Sequence, residues 1–183
     1  MEKIYITGTG RCGTTFLIKL FSFLGLDTGY NPDNYKLFIN SNCNSGMERI
    51  YNEPNSIIKN PHIILNISHI IKDNTIKIKK VIIPIRNYNE SAKSRIHHKN
   101  NTGGLWYAKD EKSQLLFYKH IISNYIYYMT KYDIPTLFLD FDRMVSDKTY
   151  LFENLRFILD EKNITFDIFS SVYDEVSLTS KKG

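Results

Sequence analysis

The stretch Tyr5-Ile-Thr-Gly-Thr-Gly-Arg-Cys-Gly-Thr-Thr-Phe-Leu17 constrains this chain more than any other. Ile4 and Ile6 flank Tyr5 as apolar β-formers and lead into a glycine-rich turn. Past the turn, Phe16, Leu17, Leu20, Phe21 and Leu24 recur at helical spacing. Strand, glycine loop and helix in that order make a cradle for an anion. Glycines let backbone N–H groups wrap around the charge, and the helix N-terminus adds a partial positive one. Three glycines could serve a tight turn alone, but their position, spacing and strand–helix context favour the cradle. Gly8, Thr9, Gly10, Arg11, Cys12, Gly13, Thr14 and Thr15 are therefore the first candidate binding group.

The 183 residues suffice for one domain, taken as residues 1–183, and are too few for two ordinary ones. A net charge of +5 suits an acidic ligand. The lysines are scattered rather than gathered in one tract, which argues against nucleic acid. No apolar run reaches the length of a membrane span. The chain enters a strand at once, so no signal peptide is expected. Cys12 lies inside the loop, where a bridge to Cys43 would obstruct it. A reducing, cytoplasmic setting is the expectation.

Strands are expected at 2–7, 56–59, 80–85 and 134–140. Helices are expected at 14–24, 62–71, 88–98, 111–131 and 147–161, with a short one within 164–176. Residues 26–54 are rich in Asn, Asp, Gly, Ser and Tyr and read as a long irregular excursion, with one helical turn near Gly46–Tyr51. Lys80–Ile85 is a β-branched run of the kind buried on both faces, and Pro84 predicts that its ladder stops there. His69 reads as a core histidine, His97 and His98 as cations at a helix end, and 100–104 as a loop. Apolar strands alternating with helices predict an α/β fold: a central parallel sheet in a three-layer α/β/α arrangement.

The spacing Gly8-x4-Gly13 matches the Walker A loop, G-x-x-x-x-G-K-[ST], so the expected architecture is P-loop nucleoside-triphosphate-hydrolase-like. Thr14 stands where the lysine belongs, and Arg11 carries the charge from inside the loop. A small-molecule kinase would want that lysine and a carboxylate for Mg²⁺, for which the available residue is Asp140. A kinase with a degenerate loop is one alternative. A nucleotide-binding module without catalysis is another.

Gly10-Arg-Cys-Gly-Thr-Thr-Phe-Leu17 resembles the 5′-phosphosulfate loop of sulfotransferases that use PAPS and release PAP. The resemblance implies that Arg11 contacts the 5′-phosphosulfate and stabilises the bridging oxygen as the sulfuryl group leaves. The segment from Arg86 to Ser94 is similar to the same family's 3′-phosphate segment: a strand, an Arg at its end, and a Ser eight residues later. It implies that Arg86 and Ser94 hold the 3′-phosphate. Independently, a guanidinium at a strand end offers a planar fork to a phosphate. Tyr88 follows Asn87 where family members often have Pro. Ile58-Lys-Asn-Pro61 resembles a third family element and implies that Lys59 neutralises the leaving phosphate. Asp140 and Asp142 fall in a fourth similar segment and read as structural. Ser180–Gly183 resembles a C-terminal motif of some members but reads as a frayed tail.

Sulfuryl transfer is an in-line attack by an acceptor hydroxyl or amine on sulfur. It needs a base for the acceptor proton and cations for the departing phosphate, and no metal is required in this reading. The family's histidine position falls on Pro61, with His62 next. Other members use a Glu after the first helix, where Glu48 and Glu53 lie. Glu48, in the turn-like Gly46-Met-Glu, is the preferred base and His62 the second choice. The acceptor is a small molecule, a glycan or a lipid head group, expected under residues 26–54 and the loop 99–108. Trp106 is there either to wall the acceptor, to stack on a base or to pack in the core.

Overall fold

The strand expected at the N-terminus forms as β1 (Glu2–Ile6) and takes an inner place in the sheet. In the computed structural model, which describes residues 1–40, 45–97 and 104–180, four parallel strands lie in the order β4, β1, β5, β6. Here β4 is Ile57–Lys59, β5 is Lys77–Ile85 and β6 is Thr136–Asp140. Tyr5 sits in register between Ile58 and Val81. Cys43, His98, most of the 100–104 loop and the tail 181–183 lie outside the described residues.

Alternation along β1 sorts the core into two halves. Ile4 and Ile6 join Leu17, Leu20 and Phe21 of α1 (Thr14–Phe23), with α6 (Lys148–Leu159) and α7 (Phe166–Ser180) behind them. Tyr5 turns the other way, with Ile58, Val81 and Ile83, against α2 (Ile63–Ile70) and α4 (Glu111–Lys131). Both faces of the sheet are thus covered by helices. Right-handed crossovers require this split. The chain leaves β1 through α1 towards β4. It then returns through α2, past β1, to β5, and goes on through α3 (Tyr88–His97) and α4 to β6. The loops after β1 and β5 therefore diverge, and they leave a crevice at the carboxyl ends of those two strands. Among the described residues no helix is long and apolar enough to cross a membrane.

Several expectations are corrected. Pro84 does not end its ladder: it pairs with Leu139, and Ile85 with Asp140. Val81 N–H donates to Pro135 O on the β6 side, so the even-numbered residues of β5 face β1. The last rung towards β1 is Thr7 N to Ile82 O at 3.1 Å, and the missing N–H of Pro84 falls just beyond it. The helical turn expected at Gly46–Tyr51 is absent. A 3-10 turn at Tyr35–Phe38 precedes a small antiparallel hairpin, β2 (Ile39–Asn40) with β3 (Ser45–Gly46). The chain then runs beside β4, where Arg49 N–H donates to Lys59 O at 3.1 Å. His69 is exposed rather than in the core, because Ile63, Ile64, Ile67 and Ile70 take the buried face of α2. A further helix, α5 (Phe141–Ser146), is not among the expected elements, but Asp140, read as structural and holding a helix start or a basic partner, caps it, its carboxylate accepting from Arg143 N–H at 2.8 Å.

Candidate functional site

The loop between β1 and α1 turns through left-handed residues: Gly10 at φ 74°, Arg11 at φ 57° and Gly13 at φ 89°. For a non-glycine such as Arg11 this conformation costs about 1 kcal/mol or more. A Cβ on Gly10 would overlap the Arg95 guanidinium, and one on Gly13 would strike Met144 and Phe141. Glycine is therefore needed at both for conformation and for room. Gly13 also stands at the N-cap of α1, where no side chain caps the first-turn N–H groups. By contrast α4, α5 and α6 start on Asp110, Asp140 and Asp147, whose carboxylates accept those bonds. The uncapped, acid-free start of α1 is the arrangement that receives an anion.

A cleft of about 660 Å³ opens over this loop. Gly10, Arg11, Gly13, Thr14 and Thr15 line it, as do Glu48, Lys59 and Arg86. Gly8, Thr9, Cys12 and Ser94 do not. Gly8 and Thr9 are loop residues that are themselves buried. Cys12 is wholly buried against Gly8, and burial pushes its thiol pKa up, so it packs rather than reacts. Ser94 is half-buried and accepts from Arg11 Nε at 3.0 Å.

Arg86, at the end of β5, donates through Nη1 to Arg11 O at 3.3 Å and lies over the Phe141 ring at 4.8 Å. The resemblance assigns the loop and the Arg86–Ser94 pair to the two phosphate ends of one cofactor. They adjoin, because β1 and β5 are neighbouring strands and their carboxyl ends open side by side.

Lys59 ends β4 and is only 1% exposed. Its Nζ donates to Gly46 O and to Glu48 Oε1, both at 2.8 Å. The hairpin thus folds Glu48 over the lysine. Glu53 is engaged elsewhere, accepting from Ile50 N–H at 2.8 Å and pairing with Arg49. His62 is exposed on the cleft wall and meets Trp106 edge-on, ring centroids 5.4 Å apart. Trp106 is half-buried and also lines the cleft, so it is wall and packing at once.

Arg95 was missed. It is buried, lines the cleft, and reaches from α3 beneath Gly10. The signal lay in the stripe Ser91, Ala92, Arg95, the buried face of α3, where a charged residue calls for a reason. Lys19 was missed too. It is buried, lines the cleft, and its Nζ donates to Thr179 Oγ1 of α7 at 2.6 Å. Among the described residues of the lining, Arg11, Lys19, Lys59, Arg86 and Arg95 face a single carboxylate, Glu48. Asp140, the carboxylate that a kinase would turn to Mg²⁺, caps α5 and is not part of the lining.

Fold and site together define an α/β sheet with a cationic crevice at its carboxyl edge. Comparison of the chain with protein-family models, with curated proteins and with solved structures finds no match.

Proposed function

We propose that this chain is a sulfotransferase with a P-loop-type scaffold, moving a sulfuryl group from PAPS to a hydroxyl or amine acceptor. The observation that carries the reading is the convergence of Arg11, Arg86 and Lys59 in one cleft over an uncapped helix N-terminus, with Ser94 bonded to the Arg11 side chain. The cleft volume is within the range of small-molecule sites. PAPS supplies the sulfuryl group: its bond from sulfur to the 5′-phosphate oxygen breaks as the acceptor's oxygen or nitrogen bonds to sulfur.

The chain's own residues do the rest. The N–H groups of the loop and the Arg11 guanidinium hold the 5′-phosphosulfate. Arg86 and Ser94 take the 3′-phosphate. Arg11 and Lys59 stabilise the negative charge that builds on the leaving phosphate. Glu48, on the open side of the Lys59 ion pair, accepts the acceptor proton. Small molecules, glycans and lipid head groups all fit the acceptor role. Thr14 in place of lysine and the capping role of Asp140 count against a kinase.

Calorimetry with PAP and with ATP–Mg²⁺ tests the cofactor class. The reading expects PAP to bind at least tenfold more tightly, an advantage of about 1.4 kcal/mol. Tighter binding of ATP–Mg²⁺ contradicts it.

A further inference from the structure

We propose that Arg95 is a positioning residue that couples the anion loop to the Trp106 wall of the cleft. This rests on the loop receiving an anion, as the proposed function requires, but not on which nucleotide carries it.

The guanidinium of Arg95 holds three separate parts of the chain. Nη2 donates to Thr9 O at 3.2 Å, inside the loop. Nη1 donates to Gly104 O at 2.5 Å, two residues before Trp106. Nε donates to Tyr118 Oη at 2.7 Å, on α4. Its Cζ lies 5.2 Å from the centre of the Trp106 ring. The residue is 7% exposed, and among the described residues its hydrogen-bond partners are two carbonyls and a hydroxyl, none of them a carboxylate.

A buried cation without an acid beside it is costly unless other groups compensate. Carbonyl dipoles and an aromatic face do so in part. An anion on the loop above would complete the compensation. It would also draw the guanidinium towards itself, and each Nη keeps a second N–H for that purpose. Any such shift is felt at Gly104 and at the indole, because the same planar group contacts both. The Trp106 backbone is itself held by a pair of bonds with Gln114: its amide N–H donates to Oε1 at 2.7 Å, and its carbonyl accepts from Nε2 at 3.3 Å. The wall therefore moves as a unit with its anchor. Lysine in place of Arg95 would keep the charge but cannot span three acceptors at once.

Trp106 is the chain's one tryptophan, so its emission reports this contact without labelling. PAP and inorganic pyrophosphate would be titrated into the wild type, Arg95→Lys and Tyr118→Phe, by calorimetry and by Trp106 emission in parallel. Circular dichroism would check the fold. In the wild type, emission should change with the same midpoint as the heat. Arg95→Lys should weaken binding about tenfold and abolish the emission change even at saturation. Tyr118→Phe, which removes one anchor and preserves packing, should weaken binding roughly threefold and shrink the change.

A wild-type emission that ignores bound anion overturns the coupling, as does an undiminished change in Arg95→Lys or in Tyr118→Phe. Pyrophosphate binding without preference for PAP counts against the sulfotransferase alone, and the coupling is then read with pyrophosphate. If neither anion binds the wild type, both ideas fall.

Discussion

Lys59 Nζ donates to Glu48 Oε1 at 2.8 Å, with the lysine side chain 1% exposed and the glutamate 46%. The pair stands at the end of β4, where the hairpin folds back over the strand. A buried ammonium needs such a partner, since an uncompensated one costs several kcal/mol by order of magnitude. The same carboxylate, however, offsets a cation that an incoming phosphate would use.

Glu48→Gln should therefore act with opposite signs on binding and on turnover. Removing the negative charge beside Lys59 should tighten PAP binding roughly threefold, a modest effect because the carboxylate is half in water. If Glu48 takes the acceptor proton, turnover should fall by about a hundredfold or more. Calorimetry with PAP and a PAP-release assay read the two. Weaker binding by the variant contradicts this assignment.

Gly10 and Gly25 make a matched pair for testing the loop. Both are left-handed, at φ 74° and φ 71°. A Cβ on Gly25 meets nothing within 4 Å, whereas one on Gly10 runs into Arg95. Gly25→Ala should cost about 1 kcal/mol in thermal unfolding, the conformational penalty alone. Gly10→Ala should cost at least about 1 kcal/mol more and should also weaken anion binding. Equal costs for the two would mean that Arg95 yields freely.

Stability should fall on the alkaline side. Burial raises the pKa of Cys12 and of the phenols Tyr5, Tyr118 and Tyr125. For each, the folded value lies above the unfolded one, so the neutral form is favoured in the fold. Their contribution is complete below the unfolded values. It is lost as pH rises past about 9 for the thiol and about 10 for the phenols, towards the folded values. Each such group withdraws up to about 1.4 kcal/mol per pH unit in that window. Thermal midpoints at roughly pH 8.5 and 10.5 should therefore differ clearly, the second being lower. A flat profile contradicts the burial of these groups.

The parallel sheet was legible because period and composition act locally. The run Lys80–Ile85 reads as a doubly covered strand, and Val81, Ile82 and Ile83 are indeed fully buried. The full extent of α4, Glu111–Lys131, coincides with the helix expected at 111–131. The loop was legible because Gly10 and Gly13 leave the backbone few other uses. What spacing could not give was adjacency. Arg11 and Ser94 lie 83 residues apart in sequence and 3.0 Å apart in space, through the choice of β5 as neighbour to β1. The hairpin at Ile39–Gly46 was illegible for a related reason. Its two-residue strands carry almost no periodic signal, and tertiary contacts give them a place: Ile39 packs on the core and Gly46 O accepts from Lys59. His69 misled because an apolar neighbourhood in sequence surrounds a helix on all sides, while burial takes only one face.

The central claim, that one crevice is built for a nucleotide with phosphates at both 5′ and 3′ positions, is tested most directly by the preference for PAP over 5′-AMP. Calorimetry on the wild type and on Arg86→Ala measures it. The two ligands differ only in the 3′-phosphate that Arg86 and Ser94 are assigned to hold. The wild type should prefer PAP by about a hundredfold, as expected for charge-assisted bonds to a phosphate, and Arg86→Ala should lose most of that preference while binding 5′-AMP unchanged. Equal binding of PAP and 5′-AMP by the wild type, or an unaltered preference in Arg86→Ala, would contradict the account.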